Sequence, residues 1–220
     1  MKNTITALGI TFLFLLFSNN AQAQFNVNTN PFWEGEIVML DGRIKTGYIQ
    51  VPAIAAEKKI SYKETKGSSA ESVDRKEIAR IKVISENGNH FYFDNLPIGS
   101  VTKDKVSKKR YLLLTHASNN FVSFYVMSQY KVNKRSGTID FVSSYVQGKD
   151  IPTFSYYMSK GDKTDAKLYY MTKQLGGIKK DAELHFKEDP ELVKLIENKE
   201  LKGDDISEII KRFLETTQAM

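Results

Sequence analysis

The chain has 220 residues, a formal charge of +6 and no cysteine. Without cysteine it can carry neither a disulfide framework nor the lipid of a bacterial lipoprotein, so its fold must rest on an apolar core. The basic balance raises nucleic acid as a partner through phosphate contacts, but the first residues point to export, which removes that class.

Lys2 supplies one positive charge, Ala7 to Phe17 an apolar run, Ser18 to Asn20 a polar stretch, and Ala21-Gln22-Ala23 small residues where a signal peptidase reads. That order predicts a cleaved secretory signal over residues 1–23, with Ala21 and Ala23 as the recognition positions. The apolar run is well short of the ~20 residues that a membrane-spanning helix needs. No later stretch reaches that length either, so no transmembrane span is expected in the mature chain. Loss of Lys2 with the leader reduces the charge to +5. The expected product is exported, periplasmic or peripherally attached to the envelope, and not a lipoprotein.

Residues 24–32 are rich in Asn and without periodicity, which predicts a flexible lead-in, with order beginning near Trp33. Glu34 to Leu40 and Arg43 to Val51 are apolar, β-branched runs separated by Asp41-Gly42. That dipeptide predicts a tight two-residue hairpin with positive φ at the glycine. Lys59 to Lys63 alternates polar and apolar residues, as a strand with one wet face does. A small polar loop is expected at Gly67 to Ser72. Ile81 and Val83 alternate with Arg80 and Lys82, and His90 to Asp94 follows a Gly-containing turn.

The stretch Lys103 to Arg110 reads as a charged loop between strands, holding Lys103, Lys105, Lys108, Lys109 and Arg110 against the single Asp104. Further runs at Tyr111 to Thr115, Phe121 to Met127, Thr138 to Tyr145, Phe154 to Met158 and Lys167 to Thr172 again have strand character. The 11 Tyr and 13 Phe fall largely in these runs, where aromatic rings pack well on a pleated surface. About nine or ten strands at short spacing predict an antiparallel barrel or sandwich over residues 33–175.

After Gly176-Gly177 the period changes from two to about 3.6, which predicts a helical segment over residues 176–220. Ile178, Ala182, His185 and Phe186 share one helical face, and Asp189-Pro190 opens a helix carrying Leu192, Leu195 and Ile196. Asp205 with Glu208 reads as a capping box before a stripe of Ile206, Ile209, Ile210, Phe213 and Leu214. Such a stripe is expected to dock on the β domain. The fold class is thus mainly β with a C-terminal helical segment.

The residues Gly35-Glu36-Ile37, Asp41-Gly42, Gly47-Tyr48-Ile49 and Ile60-Ser61-Tyr62-Lys63 resemble the first strands of uncharacterised exported β-rich proteins common in Bacteroidota. The tail is similar too, with Phe186, then Pro190-Glu191-Leu192, then Ile206 to Phe213; Gln24 directly after Ala23 fits the same source. The resemblance implies location and architecture, and carries over no activity and no site residues.

His90, His116 and His185 stand apart from one another, without a paired carboxylate at metal-ligand spacing. No nucleophile elbow or phosphate-binding glycine loop is present. No cofactor, metal or catalytic residue is therefore assigned. The residues suggest a non-enzymatic envelope binding or interaction module. A lipocalin-like carrier of a small apolar ligand is the alternative, and a hydrolase with a dispersed site a third. The basic cluster is the candidate anion contact, with anionic envelope lipid, cell-wall polymer or another envelope protein as the partner. The interior of a closed barrel separates module from carrier, because a carrier needs a cavity of about 300 Å³ or more.

Overall fold

A computed structural model describes residues 28–100, 103–141, 143–146, 149–152, 154–161, 164–171, 178 and 181–218. The expected signal, with Ala21 and Ala23, and the start of the lead-in lie outside the described residues. The chain is mainly β, with three helices after the strands among the described residues.

β1 (Phe32–Met39) and β2 (Ile44–Gln50) form the first antiparallel pair, from Phe32 opposite Gln50 to Val38 opposite Ile44. The turn differs from expectation. Gly42 N donates to Met39 O at 3.1 Å and Met39 N to Arg43 O at 2.8 Å, so three residues, not two, span the hairpin. Gly42 has φ 86°, the left-handed position that closes such a loop. The lead-in also differs, because order starts before Trp33. Asn30 is buried; its amide nitrogen donates to Pro52 O and Tyr130 O, while its oxygen accepts from Val132 N.

β3 (Lys59–Lys63), β4 (Glu71–Asp74), β5 (Ile78–Ile84), β6 (His90–Ser100), β7 (Lys103–Ser118) and β8 (Val122–Met127) follow. Next come the hairpins β9 (Tyr130–Asn133) with β10 (Thr138–Phe141), and β11 (Ser143–Val146) with β12 (Lys149–Pro152). β13 (Ser155–Lys160) and β14 (Ala166–Met171) complete the sheet. These are fourteen strands among the described residues, more than the nine or ten expected. The excess arises because the expected polar loop ends in β4, the run from Thr138 divides into β10 and β11, and the short hairpin partners β9 and β12 lie outside the expected runs.

Ten strands form one sheet in the order β14-β13-β8-β7-β6-β5-β1-β2-β3-β4, and β14 also pairs with β6. The five strands from β14 to β6 therefore close on themselves. A ring with an odd number of strands cannot alternate direction throughout, and β14 runs parallel to β6 where Ala166 meets Ile98 and Leu168 meets Ser100. The molecule is a five-stranded barrel whose wall continues into an open sheet.

Alternation along each strand divides the core three ways. Ile37, Ile49, Ile81 and Phe93 pack under the open sheet with Tyr130, Val132 and Ile139 of the β9–β10 hairpin. Leu96, Leu113, Tyr125, Tyr157 and Ala166 fill the ring. Phe124, Val126, Tyr156, Met158 and Tyr169 point outward onto the helices.

Those helices are α1 (Ala182–Phe186), α2 (Pro190–Glu197) and α3 (Ile206–Thr217). Asp189 caps α2 by accepting from Leu192 N at 2.9 Å, with Pro190 in the first turn. Asp205 does not cap α3; its carboxylate accepts from Lys202 N at 2.7 Å within a preceding 3₁₀ turn, Gly203–Asp205. Ile206, Ile209, Ile210 and Phe213 are buried against the barrel, as the stripe predicts. Among the described residues no helix is long and apolar enough to cross a membrane.

Candidate functional site

The basic segment is not a loop. Lys103 to Arg110 forms the first half of the sixteen-residue β7, paired with β6 as a long ribbon. Pro97 faces Arg110, Gly99 faces Val106 and Ser100 faces Lys103, so β7 carries extra residues between each pair and bulges twice. The strand escaped sequence reading because its residues do not alternate, and bulges remove the period of two on which that reading depends. β8 joins β7 only from Leu114 onward, where Leu114 faces Val126.

The five cations take different positions. Lys108 and Lys109 are exposed. Arg110 is half-buried: its Nε donates to Asn95 O at 2.8 Å, its own carbonyl accepts from Arg75, and burial lowers its pKa. Through these two bonds it braces the ribbon. Lys103 and Lys105 lie on the same strand by backbone position. Val106, directly after Lys105, is an exposed aliphatic residue at 38%.

A second polar group sits where the open sheet turns into the ring. Arg80 on β5 faces Asp94 on β6, with Nε 2.5 Å and Nη2 3.0 Å from the two carboxylate oxygens. The Asp94 hydrogen bond raises the Arg80 pKa. Inside the ring, burial and then the neighbouring Asp94 raise the pKa of Tyr125. The pair thus holds charge at the ring wall. No sequence signal marked it, because Arg80 reads as an ordinary outward residue and Asp94 as a strand end.

Two of the surface grooves are lined wholly by described residues. One, of about 400 Å³, runs between the end of β7 and α3, lined by His116, Asn119, Ile210, Lys211, Leu214 and Glu215. The other, of about 360 Å³, is polar and lined by Lys45, Tyr62, Glu64, Ser68, Ser69 and Glu71. Lys45 is bound to Glu71 at 2.5 Å and stands over the Tyr62 ring.

The histidines remain separate. His90 opens β6 on the surface. His116 lies edge-on to Tyr156, its pKa lowered by burial, and His185 is a buried residue of α1. Among the described residues no three His, Asp or Glu side chains gather to hold a metal.

Fold and surface together define a small closed barrel, filled by side chains, with an open-sheet extension and a helical buttress. Models of known families, curated proteins and solved structures were compared with the chain, and none matches.

Proposed function

We propose that the protein is a non-enzymatic, exported envelope module that binds through its outer surface. The observation that carries this reading is the filled ring. Leu96, Leu113, Tyr125, Tyr157 and Ala166 are each no more than 6% exposed, so side chains occupy the space that a carrier of an apolar ligand would keep open. The leader pattern of residues 1–23 and the resemblance to exported proteins of Bacteroidota support an envelope location. An anionic lipid or polymer, or another envelope protein, is the partner class that the exposed lysines of β7 favour.

Native mass spectrometry of the protein extracted from its own envelope tests the reading, together with N-terminal sequencing. The expected result is a chain beginning near Gln24 with a surface-bound anionic component or a protein partner. A stoichiometric apolar ligand that survives delipidation overturns it in favour of a carrier. An intact Met1 terminus overturns export.

A further inference from the structure

We infer that the β6–β7 ribbon seats the protein on an anionic phospholipid surface, with Lys108 and Lys109 at the phosphates and Val106 entering the headgroup layer. The inference deepens the exported-module reading and rests on it.

Three observations carry it. First, positive charge is in excess, with Asp104 the one acidic residue of the basic stretch. Pro97, Ile98, Gly99 and Ser100, the β6 residues of the same stretch, carry no charge, and among the described residues neither Lys108 nor Lys109 has an ion-pair partner. Second, the cations cannot serve the fold as Arg110 does, because both are exposed, while Arg110 spends its donor on Asn95. Third, an exposed aliphatic residue lies on the same half of the strand. Val106 is one of four exposed large apolar residues among those described, and it lies within three residues of both lysines.

Lysine on a strand edge also has a protective use, since charge discourages pairing with another sheet. Protection needs charge alone and gains nothing from an exposed valine. A membrane surface uses both, because lysines are drawn to the anionic leaflet while an apolar residue is buried at its boundary. A soluble anionic polymer offers the phosphates but no apolar layer, so Val106 distinguishes lipid from polymer.

The test uses the processed protein recovered from the cell envelope, sedimented with phosphatidylglycerol–phosphatidylcholine vesicles and with pure phosphatidylcholine vesicles. Binding only to the anionic vesicles is expected, falling several-fold as salt rises from about 25 to 250 mM and the screening length shortens. Lys108→Gln with Lys109→Gln should weaken binding roughly tenfold or more, as each basic side chain near an anionic surface contributes about a fivefold factor. The thermal midpoint should stay within experimental error. Val106→Trp should bind more tightly, with tryptophan emission shifted to the blue on anionic vesicles, against the constant background of the buried Trp33.

Unchanged binding by the double lysine variant overturns the inference. So does self-association of that variant with no loss of vesicle binding, which assigns the lysines to edge protection. If Val106→Trp gives no shift and soluble polyglutamate is bound as tightly as the vesicles, the occupant is a polymer and the lipid assignment fails. Absence of any processed chain overturns the exported-module reading itself, and the inference with it.

Discussion

Arg80 and Asp94 oppose each other across β5 and β6 as an unequal pair: the Asp94 side chain is 9% exposed and that of Arg80 44%. The two are therefore not equivalent to remove. Without the carboxylate, Arg80 can turn into water, and Asp94→Asn should cost about 1 kcal/mol. Without the guanidinium, Asp94 stays as an uncompensated charge beside Tyr125, and Arg80→Gln should cost about 3 kcal/mol. Urea denaturation at neutral pH reads the difference. Equal losses, or a larger loss for Asp94→Asn, would show that the carboxylate is better solvated than its burial indicates.

Two glycines of the first hairpin are needed for unlike reasons, and their variants should separate. At Gly42 a side chain would meet nothing within 4 Å, so only the φ of 86° resists substitution. Gly42→Val should cost about 1–2 kcal/mol, and Gly42→Asn clearly less, because asparagine tolerates the left-handed region. At Gly35 the obstacle is space, since an added Cβ would lie 2.0 Å from Lys82 O on β5. Even Gly35→Ala should therefore destabilise more than Gly42→Asn, and thermal midpoints of the three variants check the order.

What the sequence made readable were features repeated within a few residues. The alternation of Ile81 and Val83 with Arg80 and Lys82, the positive φ at Gly42 and the apolar stripe of α3 all depend on local period or turn chemistry. What stayed hidden depends on residues far apart in the chain. Closure of the ring requires Ala166 to reach Ile98, and no local pattern encodes that contact. The basic half of β7 is hidden because its bulges break alternation. Within it Arg110 is tied to Asn95 O, while Lys108 and Lys109 carry exposed charge.

Asn30 is a second long-range feature, placed by sequence in an irregular lead-in yet bonded to two distant segments, the chain at Pro52 and β9. Asn30→Ala removes donors to Pro52 O and Tyr130 O and the acceptor of Val132 N. Buried backbone groups left without partners cost about 1–3 kcal/mol each, so a loss of about 3 kcal/mol is expected. Asn28, which is only half-buried and bonds Val51 O and Glu57, should cost about 1 kcal/mol when changed to Ala. Chemical denaturation ranks the two. A result below 1 kcal/mol for Asn30→Ala would mean that water replaces the amide.

His185 gives the fold a dependence on acid. It is 2% exposed, its Nδ1 has no hydrogen-bond partner, and its ring meets Tyr169 and Phe186 edge-on or tilted. Burial pushes its pKa down to about 4; Asp181 opposes that shift and Lys160 adds to it. Lys160 itself is held by His185 O and Glu188, so its charge stays beside the imidazole and Asp181 only partly offsets the cost of burial. The unfolded chain has the ordinary histidine value of about 6.5 and takes up the proton first as pH falls. Stability from the neutral ring is therefore complete above about pH 6.5, declines as pH falls towards 4, and declines no further below it. The full loss is about 3 kcal/mol at 1.36 kcal/mol per pKa unit. His185→Leu removes this titration while keeping an apolar side chain against Tyr169. The unfolding free energies of parent and variant, measured from pH 7 to pH 4, should converge or cross as acid weakens the parent alone. A difference that stays constant over that range would show that the imidazole reaches water without unfolding.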